Sequence, residues 1–336
     1  MPAEQKAPSS TQPRLVADIG GTNARFAIAE GDVIRDELTL ACASYPDPAS
    51  AVVDYLRRVG RERPEHRPRE AALDIAGPIN GDRVEMTNHA WQFSAHSLLQ
   101  SLQLRRLIFL NDFTALALAV PRLSSDGFEQ IGGGSAEPNS AIALLGAGTG
   151  LGVSGLVPNG SSWIPLQGEG GHATLAAASE RQAAVLAWLR RQYEHVSAER
   201  LLSGMGLELL YRTLCALDGR TAQVLWAKDI TARGLSGEDQ TCREVLELFC
   251  GWLGMVAGNL ALILGAKGGV YIGGGIVPRF GSYFAASPFR AAFESKGRFA
   301  AYLAPIPCYV ITAQNPALLG CARSFTDPSP RVEVTA

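Results

Sequence analysis

The chain has 336 residues, 47% of them hydrophobic and 18% charged, with a formal net charge of -2. That balance offers neither a basic surface for nucleic acid nor an acidic disordered tail, and the length suffices for two lobes of roughly 120 to 190 residues each with a cleft between them. The six cysteines (Cys42, Cys215, Cys242, Cys250, Cys308 and Cys321) form no Cys-x-x-Cys pair, which argues against a disulfide framework or a zinc knuckle.

Met1 to Pro13 is polar and proline-bearing, with no apolar segment, so it reads as a disordered tail rather than a signal peptide or membrane anchor. Leu15 to Ala29 reads as a strand that ends in Asp18-Ile19, a turn of Gly20, Gly21, Thr22 and Asn23, and a returning strand. An apolar strand follows at Ala71 to Ile79, then a strand Arg106 to Leu110 that runs into Asn111-Asp112, and a helical run Phe113 to Val120. Ala141 to Val157 repeats the first arrangement, with Gly146, Gly148, Gly150 and Gly152 around Thr149. Gly21-Thr22 and Gly148-Thr149 therefore hold matching places in two hairpins, the pattern of an internal duplication.

Farther along, Ser179 and Gln182 make a capping box for a helix reaching about Glu194, and Gly206 to Leu217 and Cys242 to Gly265 read as further helices. Val245 to Leu264 is apolar enough to raise the question of a membrane span. Glu247, Asn259 and the glycines Gly251, Gly254 and Gly258 interrupt it, and a buried helix is the better reading. Those glycines share one helical side, where another backbone could approach closely. Val270 to Ile272 is a short buried strand ending in Gly273, Gly274 and Gly275. The whole reads as an α/β protein of two similar halves.

Matched glycine turns suit a triphosphate, because glycine lets backbone N–H donors come close to phosphate oxygens. No G-x-x-x-x-G-K-[ST] occurs, and Leu151 and Val153 break the dinucleotide spacing in the second hairpin. Asp18, beside the first turn, could orient water on a magnesium ion that bridges phosphates, or form a local turn bond with Gly20 or Gly21. Its counterpart in the second hairpin is the apolar Leu145. Asp112, at a strand end, is a candidate general base, with capping of the following helix as its alternative. In Gly168 to His172, Glu169 and His172 lie three residues apart on a chain able to bend sharply, and their mix of acceptors and donors suits vicinal sugar hydroxyls. Glu199 stands in the first turn of a helix after Ser197, where the helix dipole already favours a carboxylate.

The motifs DIGGTNAR (Asp18 to Arg25), AGPINGDRVEMTNHAWQFS (Ala76 to Ser94), LNDFTALA (Leu110 to Ala117), GAGTGLG (Gly146 to Gly152), GEGGH, HVSAERLLSG (His195 to Gly204) and GGGIVPRF (Gly273 to Phe280) together resemble the bacterial glucokinase family. They run in family order from about residue 14 to 324. The resemblance implies an actin-like (ribonuclease H-like) duplicated two-domain α/β fold with an inter-lobe cleft. A small lobe would comprise 14–122 and 313–325, a large lobe 123–312, and a tail 326–336. It further implies a cytoplasmic homodimer that passes the γ-phosphoryl group of ATP to the 6-hydroxyl of glucose with Mg²⁺, at the entry to glycolysis. Asp112 would be the base, and Asn111, Glu169, His172 and Glu199 would bind glucose. Asp18, Gly20, Gly21, Thr22 and Asn23, with Gly148, Thr149 and Gly150, would hold phosphates, and Gly273, Gly274 and Gly275 would border the adenosine. The cysteine-rich zinc segment of related repressors and sugar kinases is missing, so no zinc and no DNA-binding extension are expected. A kinase for mannose, glucosamine or an N-acetylated sugar is the alternative, and a catalytically silent sugar sensor is another.

Overall fold

The structure, a computed structural model, describes residues 12–75, 79–86, 91–328 and 331–336. The expected disorder of the first residues, up to 11, and positions 76–78 and 87–90 of the long motif lie outside the described residues. The chain divides into two compact units, one of residues 1–123, 159–166 and 313–336, the other of 124–158 and 167–312.

In the first unit β1 (Arg14–Ile19), β2 (Asn23–Glu30) and β3 (Val33–Ala41) form an antiparallel meander. Helix α1 (Pro48–Arg58) follows, started by Asp47, whose side chain accepts from Ser50 N at 2.7 Å, and by Pro48 at its first position. It buries Ala51, Val52, Tyr55 and Leu56 on one face. Strand β4 (Glu70–Ile75) then runs parallel to β1. A small antiparallel sheet of β5 (Ile79–Asn80), β6 (Arg83–Glu85) and β7 (Gln92–Ser94) leads to α2 (Ala95–Ser101), β8 (Arg106–Asn111) and α3 (Asp112–Ala119).

The second unit starts with β9 (Phe128–Ile131), β10 (Ile142–Ala147) and β11 (Leu151–Asn159); β12 (Ser162–Gly168), which completes a second meander, lies mostly in the segment 159–166 counted with the first unit. Five helices follow, α4 (Glu180–Leu189), α5 (Ala198–Leu201), α6 (Gly204–Leu217), α7 (Ala227–Ser236) and α8 (Gln240–Leu264), then β13 (Val270–Gly273). Three short helices, α9 (Ser282–Ala286), α10 (Phe289–Glu294) and α11 (Ala300–Leu303), precede β14 (Cys308–Ile311). The chain returns to the first unit with α12 (Pro316–Arg323) and β15 (Val332–Thr335).

The duplication is written in the sheets. Their hydrogen-bonded orders are β3-β2-β1-β4-β8-β15 and β12-β11-β10-β13-β14-β9. Each is a meander of three strands, then two strands parallel to the first, then an antiparallel edge strand. Within the first sheet, side chains alternate faces. Leu15, Ala17, Ile19, Leu73, Leu107 and Phe109 join the core with Tyr55 and Leu98. Their neighbours in sequence, Asp18 and Asp74 among them, point to the face on which α12 packs, against α3, β1 and β4.

Helix α8 is long and apolar enough to cross a membrane by length and composition. Most of it packs inside the second unit instead, where Val245, Leu246, Phe249, Trp252 and Leu253 are fully buried and Trp252 Nε1 donates to Ala176 O at 2.8 Å. The close approach expected at its glycines is met at two of the three positions. A Cβ at Gly254 would run into the carbonyl oxygen of Phe289, and one at Gly258 would stand 2.5 Å from that of Phe293. At Gly251 the same addition meets nothing nearer than 3.8 Å.

Two local expectations change. Helix α4 stops at Leu189 rather than near Glu194. Ser179 caps it by accepting from Gln182 N at 3.2 Å, but the Gln182 side chain accepts from Ala178 N at 2.7 Å, one residue ahead of the reciprocal bond that a capping box needs.

Candidate active site

The site residues of the first unit gather at the carboxyl ends of β1, β4 and β8, the usual place for reactive groups in parallel sheets. Asp18 on β1 stands level with Asp74 on β4, and Ile75 on β4 with Asn111 on β8. The turn after β1 closes with Gly20 N donating to Asn23 O at 3.0 Å. Cys42, at the end of β3, braces it: its amide donates to Thr22 O at 2.9 Å and its thiol to Gly20 O at 3.4 Å. Arg25, opposite Asp18 across the hairpin, donates from Nη1 to Asp18 Oδ2 at 2.8 Å, with the Asp18 side chain 20% exposed. Among the described residues no bond between the Asp18 side chain and the amides of Gly20 or Gly21 accompanies it.

Asn111, not Asp112, caps α3. Its Oδ1 accepts from Phe113 N at 3.0 Å and Thr114 N at 3.2 Å. Asp112 is the first residue of the helix and half-buried; its Oδ1 also accepts from Phe113 N, at 2.9 Å.

Sequence reading passed over Asp74, which sits inside the run EAALDI and is fully buried. Burial pushes its carboxyl well above the ordinary carboxylate range, and the charges of Asp18 and Asp112 push the same way; the Cys321 thiol, which donates to Oδ2 at 3.3 Å, opposes them. As a carboxylate Asp74 would leave Oδ1 without a partner, whereas as an acid it can donate toward Asp18. A lone acidic residue in an apolar strand was the available signal.

The second unit brings together Gly148 to Gly150, Glu169, His172 and Glu199. The turn after β10 closes with Gly148 N donating to Gly150 O at 2.8 Å. Behind it, a Cβ on Gly146 would stand 2.5 Å from Gly273 O, and Ile276 N donates to Ala147 O at 3.2 Å. The loop Gly273 to Gly275 is thus packed on the strand that carries the turn. The segment around His172 and the one leading to α5 are laced together: Leu175 N donates to Val196 O at 3.0 Å and Ala198 N to Ala173 O at 2.9 Å. His172 Nδ1 lies 3.9 Å from Glu199 Oε1, and Glu169 is exposed beside it. Glu199 Oε2 accepts from Leu151 N at 2.9 Å. Its carboxylate is therefore fixed by the second glycine hairpin, a stronger local reason for its place than the dipole of the four-residue helix α5.

The coordination set for magnesium is spare. Among the described residues no group of three or more His, Cys, Asp and Glu side chains could hold a metal ion. Asp18 fits the other manner of binding, in which the ion keeps most of its waters and rides on the phosphates with one carboxylate nearby.

Two copies of one α/β half, each carrying a glycine hairpin where its first two strands meet, make a duplicated actin-like fold. The chain matches the family model for glucokinase over residues 15–327. It is 54% identical over 316 residues to the glucokinase of Chromobacterium violaceum, covering 94% of this chain and 90% of that protein. With the glucokinase of Aromatoleum aromaticum the identity is 53% over 319 residues, covering 94% and 96%. The crystal structure of a glucokinase from an Antarctic psychrotroph aligns with a TM-score of 0.84 at 40% identity, covering 93% of this chain and 98% of that one. The chain belongs to the glucokinase family.

Proposed function

We propose that this enzyme transfers the γ-phosphoryl group of ATP to the 6-hydroxyl of glucose, with Asp112 as the general base. A carboxylate set against the hydroxyl accepts its proton as the phosphoryl group arrives, a contribution of about 10² to 10⁴ in rate. The observation that carries the assignment is the capping of α3 by Asn111. With the cap filled by its neighbour, α3 does not need Asp112 as its N-cap, although Asp112 Oδ1 shares the Phe113 amide at 2.9 Å.

The same bonds divide the labour at Asn111. Its oxygen is committed to two amides, so its Nδ2 is the end to donate to a sugar oxygen. Glu169, His172 and Glu199 supply the remaining acceptors and donors. A hydroxyl in the wrong configuration leaves one of these groups unpaired, at about 1 to 3 kcal/mol each. The turns Gly20 to Asn23 and Gly148 to Gly150 offer backbone N–H groups to the phosphates, and Gly273 to Gly275 border the adenosine. Magnesium, when bound beside Asp18 through water, neutralises charge on the phosphate oxygens. Closing water out of the site keeps it from competing as the nucleophile. The reading includes a homodimer working in the cytoplasm, as the family resemblance implies.

The test is Asp112→Asn. Glucose binding by calorimetry should stay within a few-fold of the parent while kcat falls at least 100-fold; turnover within a few-fold of the parent removes Asp112 from the base role. Mannose, glucosamine and N-acetylglucosamine, run beside glucose in an ADP-release assay, decide the sugar, and binding of a sugar without ADP release would mark a sensor.

A further inference from the structure

Glu199 does two things at once in the second unit. Oε1 looks toward His172 at 3.9 Å, on the side given above to the sugar. Oε2 is bonded to Leu151 N at 2.9 Å, the first residue of β11 and the one that follows the glycine turn. The turn is shaped to receive it, since a Cβ on Gly150 would stand 2.5 Å from Glu199 Oε2. A few residues on, Gly204 N donates to Gly148 O at 2.9 Å. The turn is thus pinned at both ends by the stretch Glu199 to Gly204, once through a charged side chain and once through main chain. The pinning side chain is only partly buried, 34% exposed, and faces the sugar side. Among the described residues the first hairpin shows no such link: its braces are Arg25 and Cys42, neither of which is assigned to sugar.

We infer that Glu199 is the positioning residue of the second phosphate turn, so that the carboxylate which reads a sugar hydroxyl also fixes the backbone that receives the nucleotide. This rests on the reading of Gly148 to Gly150 as a phosphate site. A hydrogen bond from an amide to an ionised acceptor is among the stronger ones in proteins. Without it the Leu151 amide must find water, and the turn keeps only its Gly204 pin. A turn that samples several conformations presents its N–H groups to phosphate in only a fraction of them, and the affinity falls by that fraction.

The experiment measures binding of the magnesium complex of β,γ-imido-ATP without any sugar, by calorimetry, in the parent protein, Glu199→Ala and Glu199→Gln. Glutamine keeps an acceptor oxygen at the same reach and loses the charge. Expected is a dissociation constant raised about 10-fold or more in Glu199→Ala and restored to within about 3-fold in Glu199→Gln, while the KM for glucose stays raised in both. Hydrogen exchange of the peptide covering Leu151 should quicken in the alanine variant alone. A side chain that serves the sugar only would leave sugar-free nucleotide binding equal in all three proteins, and that result overturns the inference. So does a glutamine variant as weak as the alanine one. Should Glu199→Ala fail to fold, Glu199→Asp, too short to reach Leu151, replaces it with the same outcomes. Failure of the parent protein to bind the nucleotide without sugar, with ADP release from glucose intact, would instead defeat the reading of Gly148 to Gly150 as a preformed phosphate site.

Discussion

Gly251 and Gly254 lie one turn apart on α8, and alanine at the two positions should move stability in opposite directions. In a helix interior alanine is favoured over glycine by about 1 kcal/mol. At Gly251 a methyl group would find Gln182 Nε2 at 3.8 Å and Pro288 Cβ at 3.9 Å, ordinary contact, so the substitution keeps the gain. At Gly254 it would be driven into the main chain of Phe289, whose Cα stands 3.1 Å away with its carbonyl oxygen nearer still. A side chain could swing aside, but α10 cannot move without disturbing Phe289 and Phe293, both fully buried. Overpacking of that kind costs about 1 to 3 kcal/mol, and a backbone contact belongs at the upper end. The net is a loss of about 1 to 2 kcal/mol at Gly254 against a gain of about 1 at Gly251. For a unit of 150–250 residues each kcal/mol moves the melting midpoint by about 2 to 4 °C. Thermal unfolding followed by circular dichroism should therefore show Gly251→Ala up by about 2 to 4 °C and Gly254→Ala down by about 2 to 8 °C. Shifts in the same direction would refute the packing of α10 on this face.

Asp74 holds its proton to higher pH in the folded protein than in the unfolded chain, so the folded state binds more protons and stability falls as pH rises from the ordinary carboxylate range toward the raised value. Asp74→Asn lacks that slope, and its advantage in melting midpoint over the parent should grow between pH 5 and pH 8 in magnesium-free buffer; a gap that stays constant with pH would count against a buried acid. Burial pushes the thiols of Cys250 and Cys308 up to about 12, which leaves roughly one thiolate in 10⁴ at pH 8. Iodoacetamide at that pH should label neither in the native protein and both in guanidinium chloride, as read by peptide mass spectrometry, and native labelling within minutes would contradict their burial.

What the sequence made legible is local. The hairpins at Asp18 to Arg25 and Gly146 to Gly152 could be read because a glycine turn between apolar strands is self-contained within about fifteen residues. Helix α8 could be read from its apolar content, and the side on which another chain would approach from its glycines. That Gly251 faces open packing while Gly254 faces the Phe289 carbonyl depends on a helix some 35 residues later, and no local pattern encodes it. The contact of Cys321 with Asp74 spans 247 positions. In sequence Asp74 lies inside an apolar strand with nothing nearby to mark it, and only the packing of α12 on that face makes it a buried acid. At Asn111-Asp112 both residues are plausible caps by composition, and only the bonds to Phe113 and Thr114 decide between them.

The duplication also explains why the two glycine hairpins should not be treated as equivalent. Their strand pairing is the same, yet the first ends in a charged residue and the second has Leu145 in the corresponding place. An acid at 145 would be buried in the second unit's core, where Leu145 is fully enclosed, and would bear a desolvation cost with no partner. Asp18 escapes that cost because Arg25 reaches it from the neighbouring strand and because it remains partly exposed. The second turn obtains its negative group from a different element, Glu199 on α5, attached through a backbone amide instead of a guanidinium. One turn is thereby stiffened by a pair whose charges cancel, and the other by a carboxylate that keeps an oxygen directed at His172. On the proposed roles, the turn tied to Glu199 is joined through that side chain to a group given to the sugar, whereas the first turn is braced by Arg25 and Cys42, which are given none.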